Sequence, residues 1–285
     1  MLSKIYLEIT DVCNLNCSFC PGTRRPPRFI SPEDFDTLTD KLVGKTEYLY
    51  LHLMGEPTLH PALGELMDIA AAKGFRLCIT TNALLLPERG SVILSRAPSV
   101  YKISLSLHSA EANGFGGERF DRYVSDSIAF QRAAASLGII SVIRLWNEGE
   151  DGENSMNPLI LNALRREYPD EWVPVRLGSR MAPKCYLEWG ERFVWPDSFD
   201  SGIPSPDLGE SRFCYAIRDH VGVLCDGTVV PCCLDRNGEL ALGNLFDGEL
   251  DDILASERAV RLLSGFSNRR VTEELCRSCG FSARF

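Results

Sequence analysis

Lys4-Ile-Tyr-Leu-Glu-Ile-Thr10 runs directly into Asp11-Val-Cys13-Asn-Leu-Asn-Cys17-Ser-Phe-Cys20. Apart from Lys4 and Glu8 the first segment is aliphatic, aromatic or β-branched, as a buried strand is. The second has C-x3-C-x2-C spacing. Three thiolates so close together can wrap one compact iron–sulfur cube. Three ligands leave one iron open to a small molecule, much as catalytic zinc sites keep an open position. A zinc knuckle short of one ligand is the competing reading. The motif follows the C-terminal end of a strand, where α/β proteins place their sites.

Outward from this point the chain alternates strands and helices. Lys4–Thr10, Glu47–Met54, Phe75–Thr81, Val100–Leu107, Ile139–Trp146 and Val173–Leu177 read as strands. Between them, Ser31 caps a helix that Pro32 opens and that acids follow, as the positive helix end favours. Leu63–Lys73 stops at Gly74 and Asp121–Leu137 at Gly138, each glycine a C-terminal stop. Pro87–Arg96 and Ser155–Tyr168 complete the helices. Repeated strand–helix units predict a parallel α/β sheet, either an open doubly wound sheet or a partial barrel. Gly178–Arg212, with Trp195-Pro-Asp and Pro204-Ser-Pro206, reads as an irregular connector. Beyond it, Val221–Leu224 and Thr228–Val230 flank Asp226-Gly227 as a tight hairpin, and Leu250–Leu263 reads as a helix. Asn113-Gly-Phe-Gly-Gly-Glu118 reads as a flexible loop, because it lacks G-x-G-x-x-G spacing.

The chain has 285 residues, with 45% hydrophobic, 24% charged and a formal net charge of −9. This is an ordinary globular composition, and its acidity opposes binding to nucleic-acid phosphates. No apolar run is long enough to cross a bilayer. The first ten residues do not read as a signal peptide, so a cytoplasmic location is expected. Eleven cysteines in a reducing compartment point to metal sites rather than disulfides.

With the strand, Cys13, Cys17, Cys20, Phe19 before the last cysteine and Asn14-Leu15 after the first, the chain resembles the radical S-adenosylmethionine (SAM) superfamily. The resemblance implies a partial (β/α)6 TIM-like barrel and a 4Fe–4S cluster whose open iron takes the amino and carboxylate groups of SAM. It also implies reductive cleavage of SAM to a 5′-deoxyadenosyl radical that abstracts a substrate hydrogen, with an electron donor such as flavodoxin or ferredoxin. The family's Gly-Gly-Glu-Pro motif is represented by Gly55, Glu56 and Pro57, with Met54 in place of the first glycine. Ser104 and Ser106, which alternation places on one side of their strand with His108, match the serine that often contacts SAM in the family. Arg144 and Asn147 complete the cofactor-binding candidates. Arg144 needs a partner if buried, whether a SAM carboxylate, a substrate anion or a structural ion pair.

Cys214, Cys232, Cys276 and Cys279, with Gly227 and four intervening residues before Cys232, resemble the SPASM/Twitch auxiliary domain. They are expected to hold a second 4Fe–4S cluster, with zinc as the rival. The further cysteines of a full SPASM domain are not expected, because only six residues follow Cys279. Cys233 competes as a ligand, whereas Cys225, Cys78 and Cys185 read as packing residues. The expected domains are a barrel over 1–177, a connector over 178–213 and an auxiliary domain over 214–285 made of a hairpin and helix. The resemblance implies either peptide modification or small-molecule oxidation. Any leader-peptide binder would be a separate protein, since strand one begins almost at Met1. A non-catalytic iron–sulfur or zinc protein serving electron transfer or assembly is the alternative.

Overall fold

The computed structural model describes residues 1–149, 154–196 and 209–284. In chain order the regular elements begin with β1 (Lys4–Leu7), α1 (Pro32–Leu42), β2 (Tyr48–Tyr50), α2 (Leu63–Ala72), β3 (Arg76–Thr81) and α3 (Leu86–Leu94). Then come β4 (Val100–Ser106), α4 (Gly117–Ser136), β5 (Ile140–Glu148), α5 (Asn157–Glu167), β6 (Val173–Val175), β7 (Gly178–Ala182) and β8 (Cys185–Glu191). The C-terminal elements are β9 (His220–Val223), β10 (Thr228–Val230), β11 (Gly243–Asn244), α6 (Leu250–Leu254), α7 (Glu257–Ser267) and α8 (Glu274–Arg277). They fall into two compact units.

The first unit joins Met1–Asp11, Pro21–Gly55 and Phe193–Phe285. Its strand order is β11-β10-β9-β1-β2. β1 is parallel to both β2 and β9, with Ile5 opposite Leu49 and Val221. β9 and β10 form the expected antiparallel hairpin. Asp226-Gly227 turns it, with Gly227 at φ +82°, a conformation that glycine adopts without steric cost. Ile5, Leu7, Leu49, Val221 and Val223 are completely buried along one face. α1 starts as its sequence demands: the Ser31 hydroxyl accepts from the Asp34 amide at 3.0 Å. The helix expected over Leu250–Leu263 is two helices, because Ser256 caps α7 by accepting from the Ala259 amide.

The second unit joins Val12–Cys20 and Glu56–Arg192. Its strand order is β3-β4-β5-β8-β7-β6, with β3, β4, β5 and β8 parallel. One face carries Ile79, Ile103, Leu105, Ile143, Leu145 and Leu187, none more than 1% exposed. The opposite face carries polar side chains and forms the site described below. The segment expected as a sixth barrel strand, Val173–Leu177, is instead an edge strand. β6 pairs antiparallel with β7 and its three residues are exposed. The parallel neighbour of β5 is β8, inside the stretch read as a connector. Cys185 and Leu187 alternate there with Tyr186, Glu188 and Gly190, so no continuous apolar run advertises the strand. α4 begins at Gly117, four residues before the expected Asp121. Pro204-Ser-Pro206 lies outside the described residues.

Candidate metal centres

Cys13 is exposed, and Cys17 and Cys20 are half-buried. A turn closes the loop, the Cys20 amide donating to the Cys17 carbonyl at 2.9 Å. Burial pushes the Cys17 thiol up to about 11; the Asn113 amide opposes this, and the neighbouring Cys20 and Cys13 reinforce it. Metal binding displaces such protons, because the thiolate is the ligand. Two asparagine side chains reach the sulfurs. Asn113 Nδ2 lies 3.1 Å from Cys17 Sγ, and Asn82 Nδ2 lies 3.8 Å from Cys13 Sγ and 2.8 Å from Asn14 Oδ1.

The Gly-Glu-Pro turn has a local physical reason for each residue. Gly55 has φ +72°, and a Cβ there would sit 2.3 Å from the Thr10 carbonyl oxygen. Glu56 caps the short 3-10 turn Pro57–Leu59. Its Oε1 accepts from the Thr58 amide at 3.0 Å and hydroxyl at 2.7 Å, and its Oε2 from the Asn82 amide at 2.6 Å. Burial raises the Glu56 carboxyl from its usual range, and these donors oppose the rise. They already occupy the carboxylate, so the side chain sets the shape of the turn. Pro57 opens the 3-10 turn, where its missing N–H costs nothing.

The first unit contains a buried ion pair. Arg25 donates to Glu8 Oε1 and Oε2 at 2.6 and 2.8 Å, and its Nε donates to the Arg236 carbonyl at 2.8 Å. Glu8 is completely buried. It also accepts from the Met54 amide at 3.1 Å and the Cys225 amide at 3.4 Å. Met54, the departure from the family's paired glycines, thus has its N–H held by Glu8.

On the polar face of the second unit, Thr80, Ser104 and Val142 lie in register, as do Ser106, Arg144 and Glu188. Ser104 is buried. Arg144 Nε lies 3.6 Å from Glu188 Oε2, and its guanidinium stacks 4.4 Å from the Trp146 ring. Lys102 Nζ lies 3.0 Å from Glu188 Oε1. The partner of the half-buried Arg144 is therefore a carboxylate of this chain, Glu188, flanked by two cations. His108 Nδ1 lies 3.1 Å from the Arg144 carbonyl, and its ring packs 5.1 Å from Phe19. Burial lowers His108 to about 4, so its imidazole stays neutral at neutral pH. The Asn147 amide forms a reciprocal pair with Asn157 at 3.0 and 3.1 Å, fixing the start of α5. Glu8, Arg25, Lys102, Glu188 and Asn113 escaped the sequence reading. Only the charges inside apolar strands, at Glu8 and Lys102, signalled that partners must exist.

The C-terminal thiols belong to the first unit. Cys232 is influenced electrostatically by Cys233, Cys279, Cys214 and Cys276, and burial raises its pKa most. Burial likewise raises Cys276, reinforced by Cys279 and Cys214. Cys276 ends in a turn to Cys279, whose carbonyl accepts from Arg212 at 3.3 Å. Cys233 packs beside Tyr6, Leu53, Leu224 and Val230, and takes a hydrogen bond from Tyr6. Cys225 donates its thiol to the Glu8 carbonyl at 3.2 Å, and Cys185 lies 3.6 Å from the Tyr168 hydroxyl. Both are packing residues. Among the described residues no three His, Cys, Asp or Glu side chains converge closely enough to hold a single metal ion. No described helix is long and apolar enough to cross a membrane.

Fold and site together define an α/β protein with two thiol-rich centres, one at each end of the sequence. Residues 7–141 match the family model of the radical SAM superfamily, and residues 214–280 match SPASM, the iron–sulfur cluster-binding domain. The chain is a radical SAM protein with a C-terminal SPASM domain, and these domains imply 4Fe–4S clusters. Among curated relatives, GTP 3′,8-cyclase of Chlorobaculum tepidum is 29% identical over 140 residues, 46% of this chain and 41% of that protein. The chain thus spans less than half the length of that relative. Mycofactocin maturase MftC of Mycolicibacterium smegmatis is 26% identical over 96% of this chain and 74% of its own length. The crystal structure of BtrN in complex with AdoMet and 2-DOIA aligns with a TM-score of 0.61 at 17% identity, covering 98% of this chain and 93% of that one. The shared fold is the partial TIM-like barrel expected from the sequence.

Proposed function

We propose that this protein cleaves SAM reductively and uses the product to abstract a hydrogen atom from an organic substrate. The observation that carries the reading is the loop of Cys13, Cys17 and Cys20, three mutually influencing thiols held by amide donors. That donor set fits a cubane with one open corner. Bound there, a 4Fe–4S cluster would supply the electron that breaks the sulfonium C–S bond and releases a 5′-deoxyadenosyl radical. The chain's own residues orient and shield. Gly55 lets the turn approach the Thr10 carbonyl, Glu56 fixes that turn to the end of β3, and Phe19 and His108 form an apolar contact beside the cysteine loop. Ser104, Ser106 and Arg144 present polar atoms on the face that would receive SAM or substrate.

Cys214, Cys232, Cys276 and Cys279 would hold a second 4Fe–4S cluster with protein ligands at every iron. A cluster so saturated suits electron transfer rather than substrate ligation, which favours a net oxidation. The substrate is a peptide or a small molecule: the similarity to a maturase supports the first, the likeness to BtrN with 2-DOIA the second. A cytoplasmic flavodoxin or ferredoxin would supply the electron. The test is anaerobic reconstitution with iron, sulfide, SAM and dithionite. Formation of 5′-deoxyadenosine, abolished in Cys13→Ala, Cys17→Ala and Cys20→Ala, is the expected result. Loaded clusters without SAM cleavage would instead support a non-catalytic electron-transfer or assembly protein.

A further inference from the structure

The loop Asn113-Gly-Phe-Gly-Gly-Glu118 has a sequence that suggests only flexibility, yet its first residue is bonded on every side. Asn113 Oδ1 accepts from the Asn16 amide at 3.0 Å, and Nδ2 donates to the Ser109 carbonyl at 2.7 Å and to Cys17 Sγ at 3.1 Å. These partners fix the orientation of the amide. A flipped side chain would set its NH2 against the Asn16 N–H and its oxygen against the Ser109 carbonyl. The nitrogen must therefore face the sulfur.

Asn82 repeats the arrangement from another loop. Its Oδ1 accepts from the Leu84 amide at 3.0 Å, which turns Nδ2 toward Asn14 Oδ1 and Cys13 Sγ. Tyr123, buried on α4, joins the two arms. Its hydroxyl donates to the Asn82 carbonyl at 2.7 Å and lies 3.3 Å from the Ser109 hydroxyl. Two amides on separate loops, tied through one tyrosine, thus address two of the three sulfurs.

The geometry assigns to Asn113, supported by Asn82, the task of tuning the N-terminal cluster through N–H···S hydrogen bonds. This rests on the reading that Cys13, Cys17 and Cys20 hold such a cluster. A reduced cluster carries one more negative charge, so a donor aimed at its sulfur stabilises the reduced form more than the oxidised one and raises the potential. Asn113 and Asn82 are positioning residues, acting through Cys17 and Cys13.

The test compares Asn113→Ala and the near-isosteric Asn113→Asp with the wild-type full chain, all reconstituted anaerobically. EPR-monitored redox titration follows the cluster signal that is absent from Cys17→Ala, so its assignment does not depend on SAM. The midpoint should move negative in both variants. At the wild-type midpoint the ratio of reduced to oxidised cluster should fall roughly two- to tenfold, the range set by one net hydrogen bond. An unmoved midpoint at wild-type iron content overturns the inference. Should both variants lose iron, unmodified protein labelled with 15N in the asparagine side-chain amides decides the matter. Pulsed EPR of the reduced cluster should then show 15N coupling, and its absence overturns the inference. A signal that titrates as expected yet ignores added SAM would count against the proposed function alone.

Discussion

Arg25→Met removes the cation from the buried pair with Glu8 and leaves a carboxylate at zero exposure. Losing one partner of a buried pair costs about 3–5 kcal/mol, because the remaining charge is neither solvated nor neutralised. Two amide donors, from Met54 and Cys225, still reach Glu8, which favours the lower end of that range. For a chain of this size each kcal/mol lowers the melting temperature by about 2–4 °C, so the midpoint should fall by roughly 6–20 °C. Burial already raises the Glu8 carboxyl above its ordinary value, against the pull of Arg25. Without Arg25 it rises further. The folded protein then binds a proton more tightly than the unfolded chain does, so stability falls as pH rises from the ordinary Glu value toward the folded one. The variant should therefore recover part of its loss on acidification from pH 7, where the proton neutralises the buried charge. Anaerobic thermal melts at a fixed scan rate across pH check this. Adding Glu8→Gln to Arg25→Met should restore part of the midpoint at pH 7, since the neutral amide keeps an acceptor for the backbone donors. A variant that melts within about 2 °C of wild type, with no altered pH slope, refutes the reasoning, because the expected loss is at least 3 kcal/mol.

Gly55→Ala places a Cβ 2.3 Å from the Thr10 carbonyl at φ +72°. The backbone preference alone costs about 1 kcal/mol, and the turn must shift, so melting temperature and SAM affinity in equilibrium binding should both fall. Cys232→Ser should lower bound iron by about four atoms per chain, one cubane, whereas Cys233→Ser, whose thiol faces Tyr6, should keep it; iron analysis after anaerobic reconstitution distinguishes them. Glu188→Ala leaves Lys102 and Arg144 without their shared carboxylate. A double-mutant cycle with Lys102→Met, read by thermal melts, should give a coupling of about 0.5–3 kcal/mol, and additive losses would show the contact to be inconsequential.

The readability of this chain followed its physics. Strands dense in aliphatic and β-branched residues, such as β3 and β4, announce themselves by composition, and the cysteine loop announces itself by spacing. β8 did not, because Glu188 and Gly190 on its polar face interrupt the run. Val173–Val175 misled in the opposite sense: its valines suggest a buried strand, yet they line an exposed edge. The Gly-Glu-Pro turn was legible as a motif, but not the saturation of Glu56 by Thr58 and Asn82, which depends on chain segments far apart in sequence. Asn113 was hidden for the same reason. Glycine-rich surroundings describe the loop's freedom when isolated, while its order comes from Asn16, almost a hundred positions earlier. Ser256 illustrates a signal that was present but outweighed, since the apolar residues on either side masked a good N-cap.

The pairing of β1 with β9 sets Lys4 beside His220. During synthesis the strand that leads into the cysteine loop emerges early and waits for a neighbour more than two hundred residues behind it. Such distant partners close slowly, so this pairing should form after the local β9–β10 hairpin and set the pace at which the first unit folds.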